Sequence, residues 1–382
     1  MHWTKSITPL ALGLTLAAAP ASAAERSATP PMPVVLDTDM WGDIDDVLAL
    51  AALHALEDRG EARILAITSS TSDKWCAAFI DLVDTYYGRP GIPVGLVHDG
   101  VAPPPRWAGD GSPMAAGAPM YTEYLAKLRG PDGAPRYPHA LTDDDKAPEA
   151  VALLRRTLAA QPDGSVVVIS IGFSTNMARL LDSKPDRYSP LSGVDLVKRK
   201  VRLLSVMAGR FADARYGEEA ISRDWPEYNV RKDIPSARKL FRDWPTPIVA
   251  SGSEVGFMMR LKGSDVESKF AYDEGHPVPV TYRYMDQTYR SSTASGGVLH
   301  DHKTFDLTSV LYAVRPNDGY FTVSEPGEID VLANGATRFE PSAGGKARYL
   351  AVTEDQRVRA LEAMTQLTSQ PPRRGAAKTR KK

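Results

Sequence analysis

The chain of 382 residues is long enough for one large α/β domain or two ordinary ones. Its net charge of −1 gives no overall basic signal, which argues against a nucleic-acid-binding protein. The only cysteine, Cys76, excludes an internal disulfide, so stability has to come from core burial and from any bound metal.

The first residues have the pattern of a secretory signal peptide. Lys5 precedes an apolar segment over residues 7–19, which is followed by Pro20 and the small residues Ala21-Ser22-Ala23. We expect a signal peptide over residues 1–23 and a secreted or periplasmic product with no membrane attachment after processing. An uncleaved anchor is the alternative. No later segment of the sequence is long and apolar enough to cross a bilayer.

A cluster of acidic residues follows the first predicted strand. Val34–Leu36 reads as the end of a buried strand, and apolar residues from Ile44 onward recur at helical spacing. The acids therefore lie on a strand-to-helix loop at the carboxyl edge of a sheet, where open α/β folds place their sites. Carboxylates this close stay ionised together only beside a cation, and calcium or magnesium is the natural candidate. The acids are Asp37, Asp39, Asp43, Asp45 and Asp46.

Three other interpretations compete for this cluster. The acids could be solvated loop residues that cap the following helix. An EF-hand loop needs a bidentate acid at its twelfth position, and counting from Asp37 that position is Leu48. A haloacid-dehalogenase-like phosphatase also opens with a strand and an Asp-x-Asp motif, but it does not require the Asp45-Asp46 pair.

Apolar strands alternate with helical patterns up to about residue 265. This alternation predicts an α/β fold with a mostly parallel open sheet and helices on both faces. The predicted strands are Val34–Asp37, Ile64–Thr68, Val94–Leu96, Val166–Ile171, Val201–Met207 and Ile248–Ser251. The predicted helices are Asp45–Glu57, Lys74–Tyr86, Ala147–Ala160, Thr175–Asp182 and Ser236–Arg242.

The α/β domain is predicted over residues 33–315, and residues 316–369 are expected to add a small β-rich unit and a terminal helix packed on the same domain. The elements predicted there are the strands Tyr320–Ser324, Glu328–Leu332 and Arg348–Val352 and the helix Glu354–Leu367. Asp99–Asp145 is rich in Pro, Gly, Ala and Asp, which predicts a long functional or mobile loop. Residues 370–382 are predicted to be a disordered basic tail.

Polar residues recur later in the chain where strands end or helices begin. The turn Gly172-Phe-Ser-Thr175-Asn176 and the strand end Met207-Ala-Gly209 would, alone, be ordinary junctions. The triplet Glu227-Tyr-Asn229 offers a carboxylate and an amide that could hold sugar hydroxyls, although such a triplet is more often a surface loop. Asp306 opens an apolar helix, and by itself it could be no more than an N-cap.

Together and in this order, these segments resemble the motifs of the inosine/uridine-preferring nucleoside hydrolase family over roughly residues 33 to 315. That family opens on a strand with an Asp-x-Asp…Asp-Asp cluster. A Gly-x-x-Thr-Asn turn, a strand ending in Met-Gly-Gly, a Glu-Phe-Asn triplet and an Asp at the start of a late helix follow. The matching residues here are Asp37-Thr-Asp39…Asp45-Asp46, Gly172-Phe-Ser-Thr175-Asn176, Met207-Ala208-Gly209, Glu227-Tyr228-Asn229 and Asp306.

The resemblance implies a calcium site and a ribose pocket. The implied Ca²⁺ ligands are Asp39, Asp46, the backbone carbonyl of Ile171, and Asp306. Asp39 would also take the proton from a calcium-bound water that attacks the anomeric carbon. The implied ribose-pocket residues are Asp45, Asp73, Met207, Glu227 and Asn229. Hydrogen bonds to the sugar matter because the transition state is oxocarbenium-like.

The chain departs from the family pattern in the first loop. The segment from Asp39 to Asp45 is two residues longer than in the best-known members, and it carries Met40, Trp41 and Asp43. Trp41 is a candidate for stacking on a base, with core or rim packing as the alternative.

Two further departures concern the sugar pocket and the leaving base. Asp73 stands where the family typically has Asn. Phe305 precedes Asp306, where purine-cleaving members have a His that assists the departing base. His300 and His302 lie nearby in sequence and are the candidates to replace it as the catalytic acid.

The sequence therefore predicts an exported, calcium-dependent hydrolase that cleaves ribonucleosides into ribose and free base. Its partner would be a small nucleoside rather than nucleic acid, and a homo-oligomer is compatible with the sequence. The alternatives are a hydrolase of another ribosyl or glycosidic substrate on the same scaffold, or a non-catalytic, calcium-stabilised nucleoside or sugar binding protein. The presence of both Asp39 and Asp46 favours the enzyme.

Overall fold

A computed structural model of the chain describes Met1 and residues 30–101, 118–142, 147–216, 219–289 and 299–373. The chain divides into a first unit, Met1–Pro30, and a second, Pro31–Lys382, which carries every element described below. The predicted signal peptide and residues 374–382 of the predicted basic tail lie outside the described residues.

Strands and helices alternate along most of the second unit. The strands are β1 (Met32–Thr38), β2 (Ala62–Thr71), β3 (Val94–Val101), β4 (Val166–Ser170), β5 (Val201–Met207), β6 (Ala214–Tyr216), β7 (Glu219–Ile221), β8 (Ile248–Ser251), β9 (Arg260–Leu261), β10 (His302–Lys303), β11 (Thr322–Val323), β12 (Gly327–Val331), β13 (Thr337–Pro341) and β14 (Ala347–Ala351). The helices are α1 (Asp45–Asp58), α2 (Cys76–Tyr86), α3 (Tyr121–Lys127), α4 (Ala150–Ala159), α5 (Thr175–Asp182), α6 (Gly193–Lys200), α7 (Tyr228–Lys232), α8 (Ile234–Asp243), α9 (Ser253–Met258), α10 (Gly263–Lys269), α11 (Pro277–Tyr289), α12 (Asp306–Val314) and α13 (Glu354–Thr368).

The main sheet has the order β13–β12–β14–β8–β5–β4–β1–β2–β3, and β11 pairs along β14. From β14 to β3 every neighbouring pair is parallel. The pairs made by β11, β12 and β13 are antiparallel. The predicted α/β class with a mostly parallel open sheet is confirmed.

Helices cover both faces of the sheet. Alternate residues of β1 belong to different cores, since Val34 and Leu36 pack in one apolar cluster and Val35 packs in the other. The first cluster includes the buried sides of α1, α12 and α13, and the second includes those of α5 and α8. Each fully buried aliphatic side chain stabilises the fold by about 1.5–3 kcal/mol, so these two layers hold the strand ends in fixed register.

The C-terminal strands continue the central sheet. Ala347 and Tyr349 of β14 pair with Ile248 and Ala250 of β8 in parallel register. Helix α13 begins at a capping box in which Thr353 and Gln356 satisfy one another's backbone N–H groups. This helix packs against α1, so the end of the chain supports the helix that carries the first acids.

Several segments differ from the sequence-based expectations. The segment Asp99–Asp145, expected to be one long loop, contains the last residues of β3 and the helix α3. Of the predicted tail, residues 370–373 are described, and the Gln370 side chain accepts a hydrogen bond from Arg59 Nε at 2.7 Å. Within the described part of the chain, none of the helices combines the length and the apolar character needed to span a bilayer.

Candidate active site

A cavity of about 430 Å³ opens at the carboxyl edge of the parallel strands. The loops that follow β1, β4, β5 and β8 and the starts of α1 and α12 all contribute to its wall. Its lining residues are Asp39, Trp41, Gly42, Asp43, Asp45, Asp46, Thr71, Met120, Ile171, Phe173, Met207, Arg210, Glu227, Tyr228, Asn229, Ser253, Phe257, Phe305 and Asp306.

Asp37 links neighbouring elements at this edge of the sheet. It is fully buried at the end of β1, and its Oδ1 accepts hydrogen bonds from the Thr68 hydroxyl at 2.5 Å and from Asn176 Nδ2 at 2.7 Å. Burial raises the pKa of Asp37 to about 7. Its partners lie on β2 and α5, so this carboxyl ties together three neighbouring elements, and it is not among the residues that line the cavity.

Asp45, Asp46 and Asp306 form a tight group of buried carboxylates. One oxygen from each lies within 4.8 Å of the others. Burial, followed by the negative charge of neighbouring acids, raises the pKa of each of the three well above its usual value. Hard oxygen ligands brought together in this way fit a divalent cation such as calcium or magnesium.

Hydrogen bonds orient these acids. The Thr38 hydroxyl donates to Asp46 Oδ1, and the backbone N–H of Phe305 donates to Asp45 Oδ2 at 3.0 Å. Asp45 therefore receives the first free N–H of α12 while it sits in the first turn of α1. The resemblance implied a place for Asp45 in the ribose pocket; Asp45 lines the cavity, and its carboxylate lies close to those of Asp46 and Asp306.

Asp39 lies beside this group and is partly exposed to the cavity. Burial, then the charges of Asp45 and Glu227, raises the pKa of Asp39 well above its usual value. Gly172 allows the backbone of Asp39 to pack closely against the turn after β4, because a Cβ at residue 172 would lie 2.5 Å from the Asp39 backbone nitrogen. Asp39 is not a member of the three-carboxylate group, although its charge raises the pKa of Asp46.

The predicted sugar-binding residues on β5 and α7 come together on one wall. Asn229 Nδ2 donates to the carbonyl oxygens of Ile171 at 3.3 Å and Met207 at 3.2 Å. Both oxygens of Glu227 accept backbone N–H groups, from Asn229 at 2.8 Å and from Gly209 at 3.1 Å. The wall is thus fixed before any ligand binds, and Ile171 lines the same cavity.

Asp73 does not line the cavity with the other sugar-binding candidates. Its Oδ1 accepts the Trp75 backbone N–H at 2.9 Å and the Thr122 hydroxyl at 3.2 Å, and the carboxylate is also hydrogen-bonded to the Trp41 side chain. Trp41 itself lines the cavity and is 7% exposed. Asp73 therefore supports Trp41 from behind.

The two candidate leaving-group histidines also lie outside the cavity lining. His300 Nδ1 is 3.1 Å from Asp286 Oδ2. His302 Nδ1 is 3.7 Å from Asp43 Oδ1, and Asp43 does line the cavity. Phe305 occupies the wall instead, with its ring edge-on to Phe257 at 5.3 Å.

Sequence reasoning missed a group of cavity residues that lies near Glu227. Arg210 is buried, and its Nε donates to Ser253 Oγ at 2.9 Å. Behind it, Glu254 Oε2 is buried without a hydrogen-bond partner among the described residues, and burial raises the pKa of Glu254 to about 7. Arg210, Ser253 and Phe257 all follow the ends of β5 or β8, so the rule that parallel strands end at sites could have identified them.

The chain is similar in sequence to known nucleoside hydrolases. The sequence profile of the family described as inosine-uridine preferring nucleoside hydrolase matches residues 34–366. The pyrimidine-specific ribonucleoside hydrolase RihA of Salmonella paratyphi B is 28% identical over 256 residues, covering 65% of this chain and 68% of that protein.

Solved structures share the fold. A purine-preferring ribonucleoside hydrolase from Gardnerella vaginalis superposes with a TM-score of 0.59 at 16% identity, over 88% of this chain and 99% of that one. An inosine-uridine preferring nucleoside hydrolase from Bacillus anthracis gives a TM-score of 0.59 at 15% identity, over the same 88% and 99%. The resemblance inferred from the motifs is confirmed, and the homologues are enzymes of the N-ribohydrolase class. The chain belongs to the inosine-uridine preferring nucleoside hydrolase family.

Proposed function

We propose that this enzyme hydrolyses the N-glycosidic bond of ribonucleosides, giving ribose and free base, with calcium as its cofactor. The observation that carries the proposal is the group of Asp45, Asp46 and Asp306 within 4.8 Å, in the wall of a cavity that also exposes Asp39. A nucleoside-sized ligand fits the volume of about 430 Å³.

The residues that would hold the ion are Asp45, Asp46, Asp306 and the Ile171 carbonyl. Asp39 lies beside this group. When bound, calcium would supply Lewis acidity toward a water molecule and toward sugar hydroxyls. The chain's own part begins with Asp39, whose carboxylate accepts the proton of the attacking water. Its raised pKa suits this task, because a stronger base than an ordinary aspartate is needed near neutral pH.

The fixed wall of Met207, Glu227 and Asn229 positions the ribose. Asn229 and Glu227 are held by backbone groups, so they can bind sugar hydroxyls without first being ordered. The carboxylates around the anomeric carbon then stabilise the positive charge that develops in the oxocarbenium-like transition state.

The test measures ribose and base release from inosine, uridine and p-nitrophenyl riboside by the purified mature protein, with calcium and with a chelator. Asp39→Asn keeps the side-chain size but cannot accept the proton, so we expect kcat to fall at least ~10²-fold in a folded protein. Asp330→Asn, an exposed acid on β12, is the matched control and should retain activity. Near-normal turnover in Asp39→Asn would place the base elsewhere.

Elemental analysis addresses the cofactor separately. We expect about one equivalent of calcium in the wild type and its loss in Asp46→Ala. Unchanged metal content in that variant would reject the assignment. Nucleoside binding without turnover in the calcium-loaded wild type would instead favour the non-catalytic binding protein. We also propose that the mature enzyme is exported after removal of residues 1–23.

A further inference from the structure

We propose that the preferred substrates of this site are N-ribosides of cationic bases, in which the ring nitrogen of the glycosidic bond carries the positive charge. Pyridinium ribosides and N7-alkylated purine ribosides belong to this class. The inference rests on the proposed N-ribosidic hydrolysis and specifies which leaving bases it serves.

The first support is the charge of the cavity. Six carboxylates line it, and the only cationic side chain among its described lining residues is Arg210. The six are Asp39, Asp43, Asp45, Asp46, Glu227 and Asp306. The cavity therefore keeps an excess of formal negative charge even with a divalent cation bound, and such a field attracts cationic ligands.

The positive charge of Arg210 does not cancel the excess of negative charge in the cavity. Its guanidinium donates to Ser253 Oγ at 2.9 Å and to the Ser222 carbonyl at 3.0 Å, and it lies near the Glu254 and Glu227 carboxylates. Its charge is thus compensated by acids of its own wall.

The second support is that the described lining residues include neither a histidine nor a lysine that could protonate a leaving base. The base of a neutral nucleoside departs as an anion, which needs a proton from the enzyme. Phe305 and Phe257 stand in the cavity wall and carry no exchangeable proton. His300 and His302 do not reach the lining, and neither does Lys303, whose ammonium is 5.0 Å from the Phe257 ring centre.

The hydroxyl of Tyr228, which also lines the cavity, is a poor substitute. Burial, followed by the charge of Asp39, raises the pKa of Tyr228 to about 12, so its proton is held more tightly than in free tyrosine. Together with Trp41 and Phe173 it offers flat apolar surface for a planar base without offering an acid.

A cationic base removes the need for that acid. The bond between the anomeric carbon and the ring nitrogen breaks, and its electron pair goes to the nitrogen, which neutralises the cation. The water oxygen bonds to the anomeric carbon, and the proton that it loses goes to Asp39 and then to solvent. The riboside cation and water thus give ribose, a neutral base and one proton, without any co-reactant.

The kinetic test compares three substrates that differ in their charge and in whether the leaving group must be protonated. Inosine is neutral and needs an acid, p-nitrophenyl riboside is neutral and needs none, and N7-methylinosine, assayed below the pKa of its N1–H, is cationic and needs none. We expect kcat/KM for N7-methylinosine to exceed that for inosine by at least ~10²-fold, the low end of a general acid's contribution. Phe305→His introduces an imidazole that can donate a proton. It should raise kcat/KM for inosine and so lower the ratio of the N7-methylinosine value to the inosine value.

A binding test isolates the charge from chemical lability. We expect calorimetry to show that the cation 1-methylnicotinamide binds the calcium-loaded wild type about 10-fold more tightly than neutral nicotinamide at low ionic strength, and that salt reduces the difference. Asp43→Asn should shrink this preference, because Asp43 lines the cavity, whereas Asp330→Asn on β12 removes a remote charge and should not.

The outcomes are distinct. If p-nitrophenyl riboside is cleaved but N7-methylinosine is no better than inosine, or if nicotinamide binds as tightly as its methylated cation, the preference for cationic bases is wrong and the proposed hydrolysis stands. If no riboside is cleaved, the proposed function is wrong and this inference falls with it.

Discussion

Replacing Asp306 by asparagine is expected to stabilise the protein in a chelator and to destabilise it, relative to wild type, in calcium. In the absence of an ion the group of Asp45, Asp46 and Asp306 brings like charges within 4.8 Å. At an effective dielectric constant of about 20, two ionised carboxylates at that distance repel by about 3.5 kcal/mol. Asp306→Asn removes two of the three pairs.

The realised gain is smaller than this Coulomb energy, because buried acids take up protons rather than bear the full repulsion. The variant also loses an acid from the first turn of α12, which costs about 0.3–1 kcal/mol. We therefore expect a net gain of about 1–3 kcal/mol without metal. With calcium at about 1,000 times its Kd, the wild type gains about 4.1 kcal/mol that the variant, lacking one ligand, does not share, which exceeds the variant's gain without metal.

The assay is urea unfolding at pH 7 of the wild type, Asp306→Asn and the control Asp330→Asn, each with chelator and with calcium. Asp306→Asn should have the higher free energy of unfolding in chelator, and the wild type should have the higher one in calcium. Asp330→Asn should match the wild type in both conditions. If Asp306→Asn is the less stable protein in chelator and responds to calcium as the wild type does, these carboxylates neither repel one another nor share an ion.

Three other outcomes are expected. Without metal, the free energy of unfolding should fall as pH rises from about 4 to 7. Asp37 and Glu254, with pKa values of about 7 when folded, hold protons that the unfolded chain releases near pH 4. A free energy of unfolding that rises across this pH range in urea titrations would contradict this prediction. Arg155→Met should cost about 2 kcal/mol or more by leaving the buried Ser189 carbonyl and the half-buried Leu191 carbonyl without their donor, whereas Arg156→Met, on the exposed side of α4, should be near neutral by the same titration. Intact mass of the exported protein should show cleavage after Ala23, and a full-length cytoplasmic product would be the contrary result.

The sequence predicted those features that one short segment can encode. Apolar runs between helical patterns located β1, β4, β5 and β8, and the acids after β1 marked the edge of the sheet that carries the cavity. The motif order was specific enough to predict the family. Short segments suffice here because strand, turn and helix signals are local, and because carboxyl ends of parallel strands meet at one edge.

Features that depend on distant pairing were not predicted. That Asp45 would receive the Phe305 backbone N–H depends on how α1 and α12 pack across the sheet edge. That Asp73 would support Trp41 depends on α3, which lies in a segment whose composition indicated a loop. Arg210 was overlooked because a single cation after a strand carries no motif, and its burial against Ser253 appears only in three dimensions.

The pairing of β8 with β14 has a consequence for biosynthesis. Strand β8 leads directly to Ser253 in the cavity wall, and one of its two edges is covered by β14, which is synthesised later than β8. A nascent or prematurely terminated chain that stops before residue 347 would present that edge with unpaired N–H and C=O groups, a template for association with other chains. The sheet that carries the cavity is thus completed only once β14 has been synthesised, so we expect chains that are interrupted before it to become clients of chaperones and proteases.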